Sequence, residues 1–202
     1  MTQPQTPEEF LDSYSDRAKH LIETSLDLFY RKGFHVTGID TILAKANVSK
    51  MTLYNHFGSK EELILAALRL RDLRWRKWFI STTERTARTP RERLLATFDA
   101  LNEWINSRSF YGCMFINASA EYPKRSDPVH KAAAQHKKLV YDYILSQVKA
   151  AGAKNSAGLA RHIFLLNEGA IIDAHVTNNK KAALEAKEAA AKLIASELGN
   201  RA

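Results

Sequence analysis

The stretch KANVSKMTLYNHFGSKEEL, residues Lys45 to Leu63, places long polar side chains on a predicted helix of barely two turns. Only Leu53 and Phe57 are clear core candidates in this helix, and they stand four positions apart. Residues at that spacing share one face of a helix, so most of the remaining side chains must point outward. The stretch therefore predicts a short helix whose exposed face is built to contact something.

The flanking residues predict a second helix immediately before it. Thr37, with Asp40 three residues later, fits a helix-capping pattern, and Ile39 and Ile42 would lie on the buried side of that helix. Asn47 is suited to a left-handed residue that ends it. Ser49 would cap the short helix, and Ser59 with Glu62 would cap a long one. Helix, tight turn, short second helix is the helix-turn-helix arrangement, in which the second helix enters the major groove of DNA.

The outward side chains have the chemistry that DNA binding requires. Lys50, Thr52 and Asn55 can hydrogen-bond base edges or phosphates, whereas Tyr54, His56 and Lys60 can donate to phosphate oxygens. The helix N-termini at Thr37 and Ser49 add backbone N–H groups that favour anions. The simpler alternative is a solvated helix with no partner.

Helical periodicity continues through the rest of the chain. We predict about nine helices and an all-α fold, because no segment alternates with a period of two in the manner of a strand. The predicted organisation is a polar N-terminal arm at 1–14, a helix-turn-helix DNA-binding domain at 15–62 with its motif at about 38–57, and a ligand-binding and dimerisation domain at 63–202.

Composition narrows the class of protein. The chain of 202 residues has a formal charge of +8, an excess spread along the sequence except in RLRDLRWRKW (Arg69 to Trp78). It has one cysteine and a polar start, and we find no apolar run of membrane-spanning length, so we expect a cytoplasmic protein. No spacing of histidines suits a metal, and the glycine motifs of nucleotide-binding and hydrolase sites are absent. We therefore expect no cofactor, no metal, no membrane partner and no enzyme.

The run from Phe34 to Leu63, with its core T-L-Y-x-H-F-x-S-K-E-x-L, closely resembles the DNA-binding domain of TetR-family transcriptional regulators. The resemblance in sequence covers about residues 15 to 65, and the later helices match the family in number, length and order. It implies that double-stranded operator DNA, near-palindromic in sequence, is the partner of a homodimer.

The resemblance also assigns roles to individual residues. The second-helix start at Thr37 and the side chains of Tyr54, His56 and Lys60 correspond to contacts with the DNA backbone or close to bases. Base reading falls to Ser49, Lys50, Met51 and Thr52. Met51 departs from the smaller residues common at its position, so the operator sequence cannot be borrowed from relatives.

By the same resemblance, the remaining helices form an effector-binding and dimerisation domain. The last two predicted helices would make a four-helix interface with a second subunit. We expect that interface at apolar and small residues of these helices, namely Leu159, Ile163, Leu166, Ala170, Leu184, Ala190, Leu193 and Ile194. The alternative is that both helices pack only within their own subunit.

A polar stripe on a predicted buried helix suggests where an effector could bind. Cys113, Asn117 and Glu121 are spaced at i, i+4 and i+8, and buried polar groups need partners. An internal hydrogen-bond network would satisfy them, and so would a small, largely apolar effector of unknown identity. The candidate cavity residues are Trp75, Phe79, Phe98, Trp104, Cys113, Met114, Asn117, Glu121, His136, Tyr143 and Phe164.

The expected function is a repressor released from its operator when a small molecule binds. A second hypothesis is a redox- or electrophile-sensing repressor that acts through Cys113, although this residue could instead be a small buried filler. A nonspecific DNA-binding protein, or an enzyme that uses the helical cavity through Glu121, His136 and Glu168, would also fit parts of the sequence.

Overall fold

The computed structural model describes residues 6–199, and in that range the chain is entirely α-helical, without a strand. This confirms the predicted all-α fold. The ten helices within the described residues are α1 (Pro7–Asp12), α2 (Asp16–Lys32), α3 (Ile39–Ala46), α4 (Lys50–Phe57), α5 (Lys60–Thr86), α6 (Pro90–Ile105), α7 (Met114–Glu121), α8 (Pro128–Ala150), α9 (Ser156–Thr177) and α10 (Ala182–Leu198).

Capping residues explain where these helices begin and end. Ser49 caps α4 by accepting a hydrogen bond from the Thr52 N–H, and Asn47 ends α3 in the left-handed conformation (φ 49°, ψ 48°). Such side chains satisfy backbone groups that a helix terminus leaves unpaired. The sequence predicted both residues in these roles.

The N-terminal segment differs from the predicted polar arm. Its first five residues lie outside the described range, but Pro7–Asp12 forms α1, which begins with a capping box between Thr6 and Glu9. Phe10 is buried and meets Tyr14 edge to face, with ring centroids 5.3 Å apart. Tyr14 in turn stacks on Phe57 of α4 at 5.7 Å. These aromatic contacts explain why an otherwise acidic segment is helical.

The chain divides into two compact units. The first contains the described residues through Arg76 together with Met114–His136, and in it α2 packs against α3 and α4. The second contains Lys77–Cys113 and the described residues from Lys137 onward, and in it α6, α9 and α10 pack against one another. Helices α5 and α8 each contribute residues to both units. The first unit therefore extends beyond the DNA-binding segment that the sequence predicts.

The described residues 6–199 have two further properties. None of their helices is both long enough and apolar enough to cross a membrane. Within the same range, no three His, Cys, Asp or Glu side chains are grouped so that they could hold a metal ion.

Candidate functional site

Helices α3 and α4 form the helix-turn-helix, and α4 is anchored by one apolar edge. Leu53 is fully buried and Phe57 is 3% exposed, as expected for residues four positions apart. Ser49 fixes the start of α4, since its Oγ accepts from the Thr52 N–H at 3.2 Å and lies 3.0 Å from the Thr52 hydroxyl. Anchored and capped in this way, α4 can present its other face to a partner.

The other face of α4 carries most of the side chains predicted to read DNA. The exposed members of that set are Ser49, Lys50, Met51, Tyr54, Asn55 and His56, while Thr52 is half-buried. Met51 is 71% exposed, an unusual position for a large apolar side chain on a helix eight residues long. An exposed apolar group flanked by hydrogen-bond donors matches the mixed chemistry of the major groove, which offers thymine methyl groups beside polar base edges.

The structure corrects the prediction for Thr37. Its side chain is only 1% exposed, and its Oγ1 donates to the Gly33 carbonyl at 2.6 Å, so it neither caps α3 nor can contact DNA. Helix α3 begins one residue later, after Gly38, whose missing side chain leaves the first turn without a side-chain cap. The N–H groups of this turn thus remain suited to an anion, but through the backbone alone.

Two predicted phosphate ligands make hydrogen bonds within the protein. Lys60 Nζ donates to the Phe34 carbonyl at 2.7 Å, and His56 Nε2 lies 3.2 Å from the hydroxyl of Ser15. Burial lowers the pKa of Lys60, and the negative charge of Glu121 opposes that shift. A contact between either side chain and a phosphate requires that side chain to exchange or share its present partner.

Glu121 has a role that the sequence did not indicate. Its carboxylate accepts hydrogen bonds from the backbone N–H groups of Phe34, at 2.9 Å, and His35, at 2.6 Å. Glu121 therefore holds the loop between α2 and α3. The sequence had placed it in an effector cavity with Cys113 and Asn117, and Asn117 is half-buried on α7.

The first unit contains a small pocket that is a candidate effector site. Its volume is about 110 Å³, and its lining combines apolar and polar side chains: Leu65, Leu68, Arg69, Asp72, Phe115, Ala132, Gln135 and His136. Of the predicted cavity residues, only His136 lines this pocket. Trp75 meets the His136 ring edge to face at 5.4 Å, and Met114 is buried on α7.

A buried charged cluster forms one wall of this pocket. Asp72 Oδ1 accepts from Nε of Arg76 and pairs with Nδ1 of His136, both at 2.8 Å, and its Oδ2 accepts from Nη2 of Arg76 at 2.8 Å. Burial by itself would raise the pKa of Asp72, but these hydrogen bonds outweigh it and lower the pKa to about 2. The ring of His136 stacks on Phe115 with centroids 3.7 Å apart. Asp72 is therefore ionised and fixes the imidazole beside the pocket.

Cys113 belongs to the second unit and has a charged neighbour. Lys137 Nζ donates to Cys113 Sγ at 3.3 Å and is paired with Glu168 at 2.6 Å. Burial alone would lower the pKa of Lys137, but Cys113 and Glu168 outweigh it and raise the pKa. The half-buried ammonium group of Lys137 is therefore a hydrogen-bonding neighbour of the sulfur, and the reactive form of a cysteine is its thiolate.

Five aromatic residues of the predicted cavity lie in the second unit, namely Phe79, Phe98, Trp104, Tyr143 and Phe164. Phe79 meets Tyr143 edge to face at 6.1 Å, and burial raises the pKa of Tyr143 to about 12. Phe98 is fully buried, while Trp104 and Phe164 are each 8% exposed. A shallow polar groove of about 400 Å³ in this unit is lined by none of the predicted residues; its walls are Thr86, Ala87, Arg88, Glu92, Leu95, Ala96, Asp99 and Lys187.

The structure corrects most of the predicted dimer residues. Five of them are at most 4% exposed and pack inside their own chain: Leu159, Ile163, Ala170, Ala190 and Ile194. Leu166 is half-buried, whereas Leu184 and Leu193 are 41% and 37% exposed. A second subunit cannot reach the buried side chains without unfolding their surroundings.

The outward face of α9 carries a different apolar stripe. Leu165, Ile172 and Val176 are 56%, 47% and 76% exposed, and their spacing of seven and four places them on one side of the helix. Gly169 lies on the same side and is exposed. Their heptad-like spacing was readable from the sequence, but the buried stripe has a similar spacing. The packing of α9 against α10 and α6 determines which stripe remains exposed.

Comparison with known proteins agrees with this architecture. Residues 21–67 match the model of bacterial regulatory proteins of the tetR family, and residues 90–190 match the tetracyclin repressor-like C-terminal domain. The HTH-type transcriptional regulator YjdC of Escherichia coli is 26% identical over 73% of this chain and 77% of its own length. The HTH-type transcriptional repressor NemR of E. coli is 27% identical over 58% of this chain and 59% of its own. A TetR-family regulator from Streptomyces coelicolor, SCO4454, superposes with a TM-score of 0.86 at 28% identity, covering 97% of this chain and 98% of the other.

A capped short helix with an exposed polar face, held by a tight turn against a second helix, defines the helix-turn-helix class of DNA-binding proteins. Both family models match this chain, one on the helix-turn-helix segment and one on the helices that follow. The chain belongs to the TetR family of bacterial transcriptional regulators. Its function is thus the DNA-binding regulation of transcription.

Proposed function

We propose that the protein is a homodimeric repressor that binds a near-palindromic operator and leaves it when a small effector binds. The observation that carries the DNA-reading part is the exposed face of α4, where Lys50, Met51, Tyr54 and Asn55 surround a helix fixed by buried Leu53. NemR, named a repressor, supports the direction of control. Family membership supports the effector and the homodimer.

Dimerisation is proposed to use the stripe of Leu165, Ile172 and Val176 on α9, joined by the exposed Leu184 and Leu193 of α10. Large exposed apolar side chains in one stripe favour burial against a partner. A two-fold axis would place two copies of α4 on half-sites spaced by about one helical turn of DNA, roughly 34–36 Å.

Selection of duplexes from a random-sequence pool tests the DNA-reading part. We expect the protein to enrich a near-palindromic sequence and to protect two half-sites in footprinting. Placing that sequence within a promoter should lower transcription in a reconstituted assay, whereas a rise would show activation. Equal binding to unrelated DNA would contradict sequence-specific control.

The proposed effector site is the pocket of about 110 Å³ in the first unit. Leu65, Leu68, Phe115 and Ala132 supply apolar walls, and Arg69 and Gln135 supply polar groups. This combination suits a small, largely apolar molecule with one polar end. Release of the selected duplex by indole- or benzoate-sized compounds tests it. The variant Ala132→Phe, which fills the pocket, should bind DNA but lose the response.

A redox or electrophile signal through Cys113 is the second candidate function. The observation that favours it is Lys137, whose ammonium group lies 3.3 Å from the sulfur. Peroxide transfers one oxygen atom to a thiolate, which forms a sulfenate while the peroxide is reduced to water. Duplex release by peroxide that disappears in Cys113→Ser would favour this mechanism over effector binding.

A further inference from the structure

The loop between α2 and α3 is held from a distant part of the chain. The two carboxylate oxygens of Glu121, the last residue of α7, accept from the consecutive backbone N–H groups of Phe34 and His35. The bonded residues are 87 and 86 positions apart in sequence. A carboxylate that receives two backbone N–H groups fixes both the position and the direction of that loop.

The same contact is reinforced in the opposite direction. His35 Nε2 lies 2.9 Å from the Glu121 backbone carbonyl, and a carbonyl only accepts, so Nε2 carries the hydrogen. The ring of His35 stacks on Tyr122 with centroids 4.8 Å apart, and Phe34 meets Tyr122 edge to face at 6.2 Å. The end of α7 therefore contacts the loop through side chains and backbone together.

Gly33 makes the close approach possible. Its φ of +93° is one that side-chain-bearing residues rarely adopt, and a Cβ at this position would lie 3.0 Å from Oε1 of Glu121. The Gly33 carbonyl accepts from Thr37, and the Phe34 carbonyl accepts from Lys60. The backbone N–H and carbonyl groups of the loop thus form hydrogen bonds with the side chains of Glu121, Thr37 and Lys60.

This loop leads directly into α3, whose uncapped N-terminus and following helix α4 form the DNA-reading surface. We propose that Glu121 is a positioning residue for DNA binding, which acts through the backbone of Phe34 and His35 to set the orientation of the helix-turn-helix. The opposite end of α7 carries Phe115 in the wall of the proposed effector pocket. The regulatory part of this inference rests on the proposed function: a ligand that displaces Phe115 shifts α7 and weakens the hydrogen bonds between Glu121 and the loop.

The charge of Glu121 and its proposed positioning role predict opposite effects of Glu121→Ala on the affinity for DNA. Glu121→Ala deletes one negative charge, so the formal charge of +8 becomes +9, and electrostatic attraction to DNA increases. Loss of positioning instead weakens specific binding, because two charge-assisted hydrogen bonds that orient the reading helices are gone. We expect affinity for the duplex selected by the wild type to fall at least about tenfold. Glu121→Gln retains the shape and one accepting oxygen, so its loss of affinity should be smaller.

The matched control is Glu103→Ala, which removes the same charge from an exposed position on α6. Its affinity should equal or exceed that of the wild type. Hydrogen exchange of the free proteins supplies the second measurement. The amides of Phe34 and His35 should exchange at least about tenfold faster in Glu121→Ala, and at an unchanged rate in the control.

Equal or tighter specific binding by Glu121→Ala, or unchanged exchange at Phe34 and His35, would overturn the inference. If Glu121→Ala does not fold, the same two measurements on Glu121→Gln decide. If the wild type selects no duplex at all, the proposed function fails. The hydrogen-exchange measurement still tests whether Glu121 holds the loop through its hydrogen bonds. For the regulatory part, Phe115→Ala should accelerate exchange at Phe34 and His35, and an unchanged rate would remove α7 as the link to the pocket.

Discussion

Nδ1 of His136 on α8 lies 2.8 Å from Oδ1 of Asp72 on α5, and both side chains are buried. Because an ionised carboxylate can only accept, this nitrogen carries a hydrogen whether or not the ring is charged. Arg76 donates two further hydrogen bonds to the same carboxylate. Helices α5 and α8 of the first unit are thus joined by a largely buried charged group.

This geometry predicts how stability depends on pH. The folded-state pKa of Asp72 is about 2, below its ordinary value of 3.8, so the folded chain favours the ionised form. The resulting stabilisation, about 2 kcal/mol from this shift, is present above the unfolded pKa and is lost as the pH falls through the folded one. Urea unfolding between pH 7 and pH 2 should show the loss below about pH 4.

Asp72→Asn is the variant that isolates this contribution. It should destabilise the protein at neutral pH by about 3–5 kcal/mol, because it leaves the guanidinium of Arg76 partly buried without its counter-charge. Its stability should also lack the portion of the acid dependence that Asp72 contributes. Asp142→Asn, at an exposed ion pair on α8, serves as control. A pH profile in Asp72→Asn that matches the wild type would contradict the assignment.

The reading surface predicts two kinds of DNA-binding variant. Lys50→Ala and Thr52→Ala should relax base preference, at about 1–3 kcal/mol for a good bidentate contact. Tyr54→Phe and His56→Ala should weaken binding to all sequences alike. Lys60→Ala should do the same and flatten the salt dependence by about one ion.

Fluorescence anisotropy with the selected duplex and a scrambled duplex, at several salt concentrations, separates these effects. Lys149→Ala removes an exposed lysine near the end of α8 and should change neither affinity nor base preference. The phosphate assignment for Lys60 would be wrong if its alanine variant kept both the affinity and the salt slope of the wild type.

The exposed stripe of α9 predicts which substitution separates the subunits. Ile172→Glu places a charge where we expect a dry contact, and it should convert the dimer to a folded monomer with much weaker operator binding. Ile163→Glu, at a fully buried position, should unfold the chain instead. Sedimentation together with circular dichroism distinguishes these results, and Ser146→Glu on exposed α8 surface is the control. A dimeric Ile172→Glu protein would place the interface elsewhere.

The ends of a helix could be predicted from the sequence when a single residue determines them. Ser49 and Asn47 act within a few residues of their own positions, so their roles could be predicted from local pattern. Thr37 was misplaced because the N-cap of α3 is the next residue, Gly38, and the Thr37 hydroxyl donates to the Gly33 carbonyl instead. Which backbone group a threonine hydroxyl bonds depends on the local backbone angles. A capping pattern in the sequence does not specify those angles.

Contacts between residues far apart in the chain could not be predicted from the sequence. Glu121 looked like part of a stripe with Cys113 and Asn117, but its partners precede it by more than eighty residues. The spacing of residues predicts which of them share one face of a helix. It does not identify the residues that pack against that face. The same limit applies to α9, where Ile163 and Ile172 are equally apolar but only Ile163 is buried in the fold, in which α9 packs against α10 and α6.

The contact between Lys137 and Cys113 predicts the outcome of a redox test. If Cys113 is the sensor, peroxide or hypochlorite should release the selected duplex from the wild type, and Cys113→Ser should stay bound. Lys137→Met removes the ammonium group that lies 3.3 Å from the sulfur, so it should slow the reaction of Cys113 with the oxidant. The rate of thiol alkylation measures the change in reactivity directly, and Lys138→Met, at the exposed neighbouring position, is the control. Release by a small ligand from both wild type and Cys113→Ser, with no release by oxidant from either, would show that Cys113 only fills space beside Lys137.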